Sequence, residues 1–167
     1  MKLSKINKIN SFPYYIFISI FAFFLNYWVA SRGVFPIDTF VHYDSAARIL
    51  IGEMPIRDFW IVHGLLVDFI QSIFFKILGI NWNAYVIHSS LLNLIISLFT
   101  FKIFQICNIK NLYGFLLTLC FSVLAYPVSG TPFLDLHSVY FSLIAIYFLI
   151  LFINKSSNYL ITLSVLF

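Results

Sequence analysis

The chain has 167 residues, of which 62% are hydrophobic and only 10% are charged. A soluble domain averages about 45–50% apolar and about 25% charged residues. This composition therefore excludes an ordinary water-soluble globule and indicates that lipid solvates most of the apolar surface. The net charge of +4 comes from thinly spread lysines and arginines, a distribution that argues against nucleic-acid binding.

The first predicted element is a membrane span at about residues 13–30. Lys2, Lys5 and Lys8 precede the apolar run Tyr14–Ala30, an order that signal peptides also have. The run is long for a signal peptide and further apolar segments follow it. We therefore predict an uncleaved first span.

The next segment, residues 31–83, is predicted to form a large outer loop that holds two amphipathic juxtamembrane helices. Asp38 is the predicted N-cap of the first helix, which should end just before Gly52. The second helix, at about 61–80, is apolar on one side. Its other side carries Gly64, Asp68, Gln71, Ser72 and Gly79. Such a two-faced helix is typical of the membrane interface, and we expect the polar sides of both helices to face water or the second outer loop.

Later spans are predicted at about 84–106, 112–127 and 137–153, and an incomplete fifth at 159–167. This topology places Lys102, Lys110 and Lys155 on the same side as the N-terminal lysines, as the positive-inside bias requires. The expected fold is an all-α membrane protein with four transmembrane helices and the start of a fifth. We expect residues 1–167 to be the N-terminal part of a longer multi-pass domain whose N-terminus is cytoplasmic.

The acidic residues and histidines fall on or near one face of the membrane in this topology. The acidic residues are Asp38, Asp44, Glu53, Asp58, Asp68 and Asp135, and the histidines are His42, His63, His88 and His137. A chain that confines its acid–base chemistry to one side of a bilayer is expected to have a site there.

The first loop contains an ordered motif: Asp38, Tyr43, Ala46-Ala47-Arg48, Gly52 and Pro55-Ile56-Arg57-Asp58. This order resembles the first outer loop of GT-C-type membrane glycosyltransferases, the polyprenyl-phosphate-sugar-dependent enzymes that include protein O-mannosyltransferases and lipid A aminoarabinose transferases. The family often has a basic residue and a Pro-Pro-Leu-like element where this chain has His63-Gly64-Leu65-Leu66.

The resemblance implies a glycosyltransferase of the bacterial cytoplasmic (inner) membrane. Its donor would be a polyprenyl-phosphate sugar, and its acceptor a lipid, a glycan or a protein. Asp38 would be the base that takes the acceptor's proton, and Asp135, near the position of a second acidic residue in the family, would assist it. The substrate-binding candidates are Tyr43, Arg57, Asp58, His63 and His137.

Other interpretations of these residues stay open. Asp38 and Asp135 are each also suited to cap a helix. The sequence indicates no cofactor; Asp135 and His137 could supply two metal ligands, but an Asp-x-His pair alone is a poor metal signal. The alternative functions are a polysaccharide polymerase or lipid-linked-sugar transporter, and a non-catalytic membrane scaffold.

Overall fold

The computed structural model describes residues 11–33, 39–61, 63–155 and 158–167, and every regular element within these ranges is helical. The elements are α1 (Phe12–Ala30), α2 (Thr39–Leu50), α3 (Leu66–Leu78), α4 (Trp82–Ile106), α5 (Asn111–Leu124), a 3-10 turn (Tyr126–Val128), α6 (Leu134–Lys155) and α7 (Asn158–Leu166).

Four helical segments are long and apolar enough to cross a membrane: Phe12–Ala30, Trp82–Ile106, Asn111–Val128 and Leu134–Asn154. They coincide with the four complete spans expected from the sequence, so the all-helical, multi-pass character of the chain is confirmed by length and composition. The predicted fifth span corresponds to α7, whose nine residues would extend roughly 14 Å.

The four long helices run alternately up and down. At one end of the bundle, the Trp82 indole donates a hydrogen bond to the Ala30 carbonyl, 3.2 Å away. At the other end, the Tyr15 hydroxyl donates to Gln105 Oε1 at 2.7 Å, and Gln105 in turn donates to Asn111 Oδ1 at 3.3 Å. We call the first of these the loop end, because α2 and α3 pack there, and the second the opposite end.

Helices α2 and α3 pack on each other and across the loop end. The ring of Tyr43 in α2 lies between those of Phe75 in α3 and Tyr85 in α4, with centroids 4.9 and 5.3 Å away. Gly64, just before α3, lies against the start of α6, because a Cβ added at Gly64 would be 3.5 Å from the Leu134 side chain. Helix α3 thus reaches from the start of α6 to the start of α4.

The boundaries of α2 follow from its sequence. It ends at Leu50, and Gly52 has a φ of +95°, the left-handed conformation in which glycine commonly ends a helix. The predicted stop signal is therefore in place. Its predicted N-cap, Asp38, lies outside the described residues.

The two sides of α3 differ from expectation. Asp68 and Gln71 are fully buried, whereas Leu66, Phe69, Ile73 and Ile77 are exposed. Asp68 and Gln71 face the protein interior and not water, because they find partners on α2, α4 and the loop before α3. The apolar side faces outward, as it does in a helix that contacts lipid.

Candidate functional site

The described part of the loop end contains a buried cluster of one carboxylate and two imidazoles. Asp68 Oδ1 lies 2.7 Å from His42 Nδ1, and Asp68 Oδ2 lies 2.9 Å from His63 Nε2. The side chain of Asp68 is inaccessible to solvent, those of His42 and His63 are 5% and 9% exposed, and the two rings meet edge to face. We call these three residues the Asp68 cluster.

Three separate elements build the Asp68 cluster. His42 comes from the first turn of α2, His63 from the loop before α3, and Asp68 from the first turn of α3. A carboxylate in the first turn of a helix is stabilised by the helix dipole and the free backbone N–H groups there. Both carboxylate oxygens are paired with ring nitrogens, so the cost of burying this acid is offset by hydrogen bonds on each side.

The Asp68 cluster also has the composition of a metal site. The ligand atoms that its three side chains offer all lie within 4.8 Å of one another. Two histidines and one carboxylate form a ligand set that catalytic zinc sites and non-haem iron sites use.

A second histidine pair lies next to this cluster, inside the bundle. His88 Nε2 in α4 and His137 Nε2 in α6 are 3.1 Å apart. The Gln71 side chain lies 2.8 Å from His88 Nδ1, and the Tyr126 hydroxyl makes a short contact with His137 Nδ1. Four elements, α3, α4, the 3-10 turn and α6, therefore share one buried chain of hydrogen bonds.

One arrangement of protons satisfies every link in this chain with both histidines neutral. The Tyr126 hydroxyl donates to His137 Nδ1, His137 Nε2–H donates to His88 Nε2, and His88 Nδ1–H donates to Gln71 Oε1. In the alternative neutral tautomer, His137 Nδ1–H donates to the Phe133 carbonyl 2.9 Å away, which also accepts the backbone N–H of His137. The pair needs no bound proton in excess, so no net charge is buried there.

Further polar contacts join α1, α4 and α5 near the histidine pair. Asn26 in α1 donates to the hydroxyls of Ser89 and Ser90 in α4, at 3.0 and 3.1 Å. Asn93 donates to the carbonyls of Ala22 and Ser122, at 2.9 and 3.2 Å. These contacts agree with the packing role that polar side chains have between membrane helices.

Of the two predicted catalytic residues, the structure describes Asp135, while Asp38 lies outside the described residues. Asp135 is exposed in the first turn of α6. His137, two residues later, is buried and points to His88 and Tyr126, so the Asp-x-His pair is not directed at one point.

The predicted substrate-binding residues do not meet at one place. Arg57 and Asp58 lie in the loop after α2, Tyr43 and His137 lie among packed side chains, and His63 lies in the Asp68 cluster. Arg57 forms a two-fold ion pair with Asp58, with N–O distances of 2.9 and 2.6 Å. This pairing, with the Met54 N–H, lowers the pKa of Asp58 to about 2. The ring of Tyr43 contributes to aromatic packing, and burial raises the pKa of its hydroxyl.

The sequence predicts no specific site role for Asp68 or Gln71. It places both on the polar side of an amphipathic helix, and Asp68 also among the acidic residues near the outer face. A site could have been inferred from the carboxylate and the amide on this polar side, together with His63 in the loop before the helix. Nothing in the spacing indicated that His42, on a different helix, would meet the same carboxylate.

No protein-family model matches the chain, and comparisons with curated proteins and with solved structures find no match.

Proposed function

We propose that the chain acts as a membrane glycosyltransferase that moves a sugar from a polyprenyl-phosphate donor to an acceptor at the loop end. The observation that carries the proposal is the grouping of ionisable side chains. Asp44, Glu53, Asp58, Asp68 and Asp135 all lie in α2, α3, their connecting loop or the first turn of α6, and all but the buried Asp68 are accessible to a substrate there.

The loop architecture supports the same proposal. A transferase that acts on a lipid-phosphate sugar needs a polar platform level with the lipid headgroups. Helix α2 and the loop after it supply one, beside α3, which packs across the loop end and is apolar on its outer side. The positive-inside bias favours the outer face for this end, with the N-terminus in the cytoplasm. The resemblance to GT-C-type glycosyltransferases implies the inner membrane of a bacterium as the site of action.

In the proposed reaction, the acceptor's oxygen attacks the anomeric carbon of the sugar. Asp38 takes the acceptor's proton, the bond between the anomeric carbon and the phosphate oxygen breaks, and polyprenyl phosphate leaves with the bonding electron pair. Arg57 is suited to hold that phosphate, because its guanidinium has five N–H donors and Asp58 occupies two of its nitrogens. Asp135 would orient the acceptor.

A lipid-linked-sugar transporter is the second candidate, favoured by the His88–His137 pair. Transporters place ionisable residues within their spans, and both of these histidines belong to candidate spans. They lie within the first two turns of α4 and α6, however, and not at the middle of the spans.

Transfer measured in membranes tests the proposal. Membranes that carry the complete protein are given a polyprenyl-phosphate donor with a radiolabelled sugar, and label in the acceptor fraction is counted. Asp38→Asn should lower transfer about 10²-fold or more, while Asp44→Asn should retain most of it. Transfer that survives Asp38→Asn but fails in Asp44→Asn would refute the assignment. Movement of intact donor across the membrane without transfer would support the transporter.

A further inference from the structure

We propose that His42, His63 and Asp68 form a binding site for a divalent transition-metal ion, with Zn²⁺ the best-suited ion. The proposal does not depend on the transferase function, because it rests on the ligand set and its geometry alone.

The three ligand atoms are close to the spacing that a metal ion imposes. At metal–ligand distances of about 2.0–2.1 Å, two ligands of a tetrahedral ion lie about 3.3 Å apart. His42 Nδ1 lies 2.7 Å from Asp68 Oδ1, and His63 Nε2 lies 2.9 Å from Asp68 Oδ2. One ligand atom from each of the three residues lies within 4.8 Å of the other two. Small side-chain rotations are therefore enough to place one ion among them.

The ligand chemistry favours zinc over the alkaline-earth ions. Ca²⁺ and Mg²⁺ prefer oxygen ligands in larger number, whereas imidazole nitrogen suits zinc and iron. Two imidazoles and one carboxylate leave at least one coordination position for water or another ligand, as in open zinc sites.

Burial and access also fit a bound ion. Asp68 is fully buried, and a divalent cation would compensate its charge directly. In the metal-free arrangement the two imidazoles bond to the carboxylate through His42 Nδ1 and His63 Nε2. With a metal bound, each neutral ring would carry its proton on the opposite nitrogen. His63 is the most exposed of the three side chains and lies on the loop, so the entry path is from the loop side.

The test is metal binding by the purified protein. The protein, free of any histidine tag and carrying Cys107→Ser and Cys120→Ser to remove both exposed thiols, is placed in phosphatidylcholine nanodiscs. Zn²⁺ is then titrated calorimetrically. We expect one ion per chain, and a loss of affinity of at least about 10-fold in His63→Gln, since loss even of a ligand's supporting partner costs that much.

The matched control is His137→Gln, which removes a buried histidine from the neighbouring pair and should leave the affinity unchanged. Asp135→Asn removes an exposed carboxylate from the same end and should do the same. If His137→Gln abolished binding and His63→Gln did not, the ion would belong to the His88–His137 pair and the proposal would be wrong. Absence of saturable Zn²⁺ binding in the parent protein would overturn it as well.

A measurement without ligand variants guards against misfolding. X-ray absorption at the zinc edge counts the imidazole ligands of Zn²⁺ bound to the parent protein. Two imidazoles with oxygen ligands support the site, while one imidazole or none rejects it.

Discussion

Asp68 Oδ1 lies 2.7 Å from His42 Nδ1, and this contact joins α3 to α2 inside the loop end. It is one of two histidine contacts that the same carboxylate makes, and no water reaches Asp68. Removal of either partner leaves a buried polar group without its bond, which typically costs about 1–3 kcal/mol.

A double-mutant cycle should therefore give strong coupling between the two residues. We expect Asp68→Asn and His42→Gln, alone and together, to show an interaction free energy within the range of about 0.5–3 kcal/mol found for contacting residues. The measurement is unfolding of the protein in mixed micelles with rising amounts of a denaturing detergent.

The matched cycle uses Asp44→Asn and Arg48→Gln. Both residues of this pair lie on α2, with an N–O distance of 2.9 Å, but the side chain of Asp44 is 68% exposed and that of Arg48 is 41% exposed. Water and salt screen such a pair, so its coupling should be much the smaller of the two. Equal coupling in the two cycles would show that burial of Asp68 adds nothing.

Gly130 is a second position where packing fixes the residue. Its φ is +73°, and a Cβ there would lie 3.0 Å from Ala30 Cα, while its carbonyl accepts hydrogen bonds from Ser89 and Asn26. We expect Gly130→Ala to lower the free energy of unfolding by about 1–3 kcal/mol, the usual cost of a left-handed non-glycine residue.

Gly33→Ala is the control for Gly130, because nothing lies within 4 Å of a Cβ at Gly33. The same micelle unfolding assay should detect little change for this variant. If Gly33→Ala destabilised the protein as much as Gly130→Ala, neither the left-handed backbone of Gly130 nor its close approach to Ala30 would be the cause.

The four spans could be predicted from the sequence, because hydropathy over about 20 residues reports directly whether a segment prefers lipid. The end of α2 could be predicted as well, since Gly52 permits a backbone conformation that other residues avoid. Both signals are local, and each depends on residues adjacent in the chain.

The Asp68 cluster could not be predicted, because its partners come from three elements whose packing is a tertiary property. A two-faced helix shows only that its sides differ. In water the polar side would face outward, but beside lipid the interior can be the more polar environment. The side chains of Asp68 and Gln71 face the interior because their hydrogen-bond partners, His42, His63 and His88, lie there. None of these three histidines belongs to α3.

The Arg57–Asp58 pair predicts that the Asp58 carboxyl stays ionised to unusually low pH. The pKa of Asp58 is lowered from its ordinary value of 3.8 to about 2, chiefly by its hydrogen bond with Arg57. A lowered folded-state pKa stabilises the loop above pH 3.8, and this contribution is lost as the pH falls towards 2. The carboxyl carbon shift of Asp58, followed by NMR, should titrate near pH 2.

Arg57→Gln provides the control for that titration. The Met54 N–H still donates to Asp58 in this variant, so the pKa should rise towards, without exceeding, its ordinary value. An unchanged titration midpoint in Arg57→Gln would show that the ion pair is not the cause of the shift.

The orientation of the bundle is the last prediction, and three exposed positions test it. Lys110 lies at the opposite end, Asp135 at the loop end, and Lys76 near the end of α3. In a background with Cys107→Ser and Cys120→Ser, each is changed singly to cysteine, as Lys110→Cys, Asp135→Cys and Lys76→Cys. A membrane-impermeant maleimide is then added to intact cells.

If the positive-inside bias sets the orientation, Asp135→Cys and Lys76→Cys should be labelled in intact cells, and Lys110→Cys only after permeabilisation. Labelling of Lys110→Cys alone would mean either that the bundle is inverted or that residues 31–83 cross the membrane, and would contradict the predicted topology in both cases. Lys76 and Lys110 lie before and after α4, so labelling of both from the same side would show that α4 does not cross the membrane.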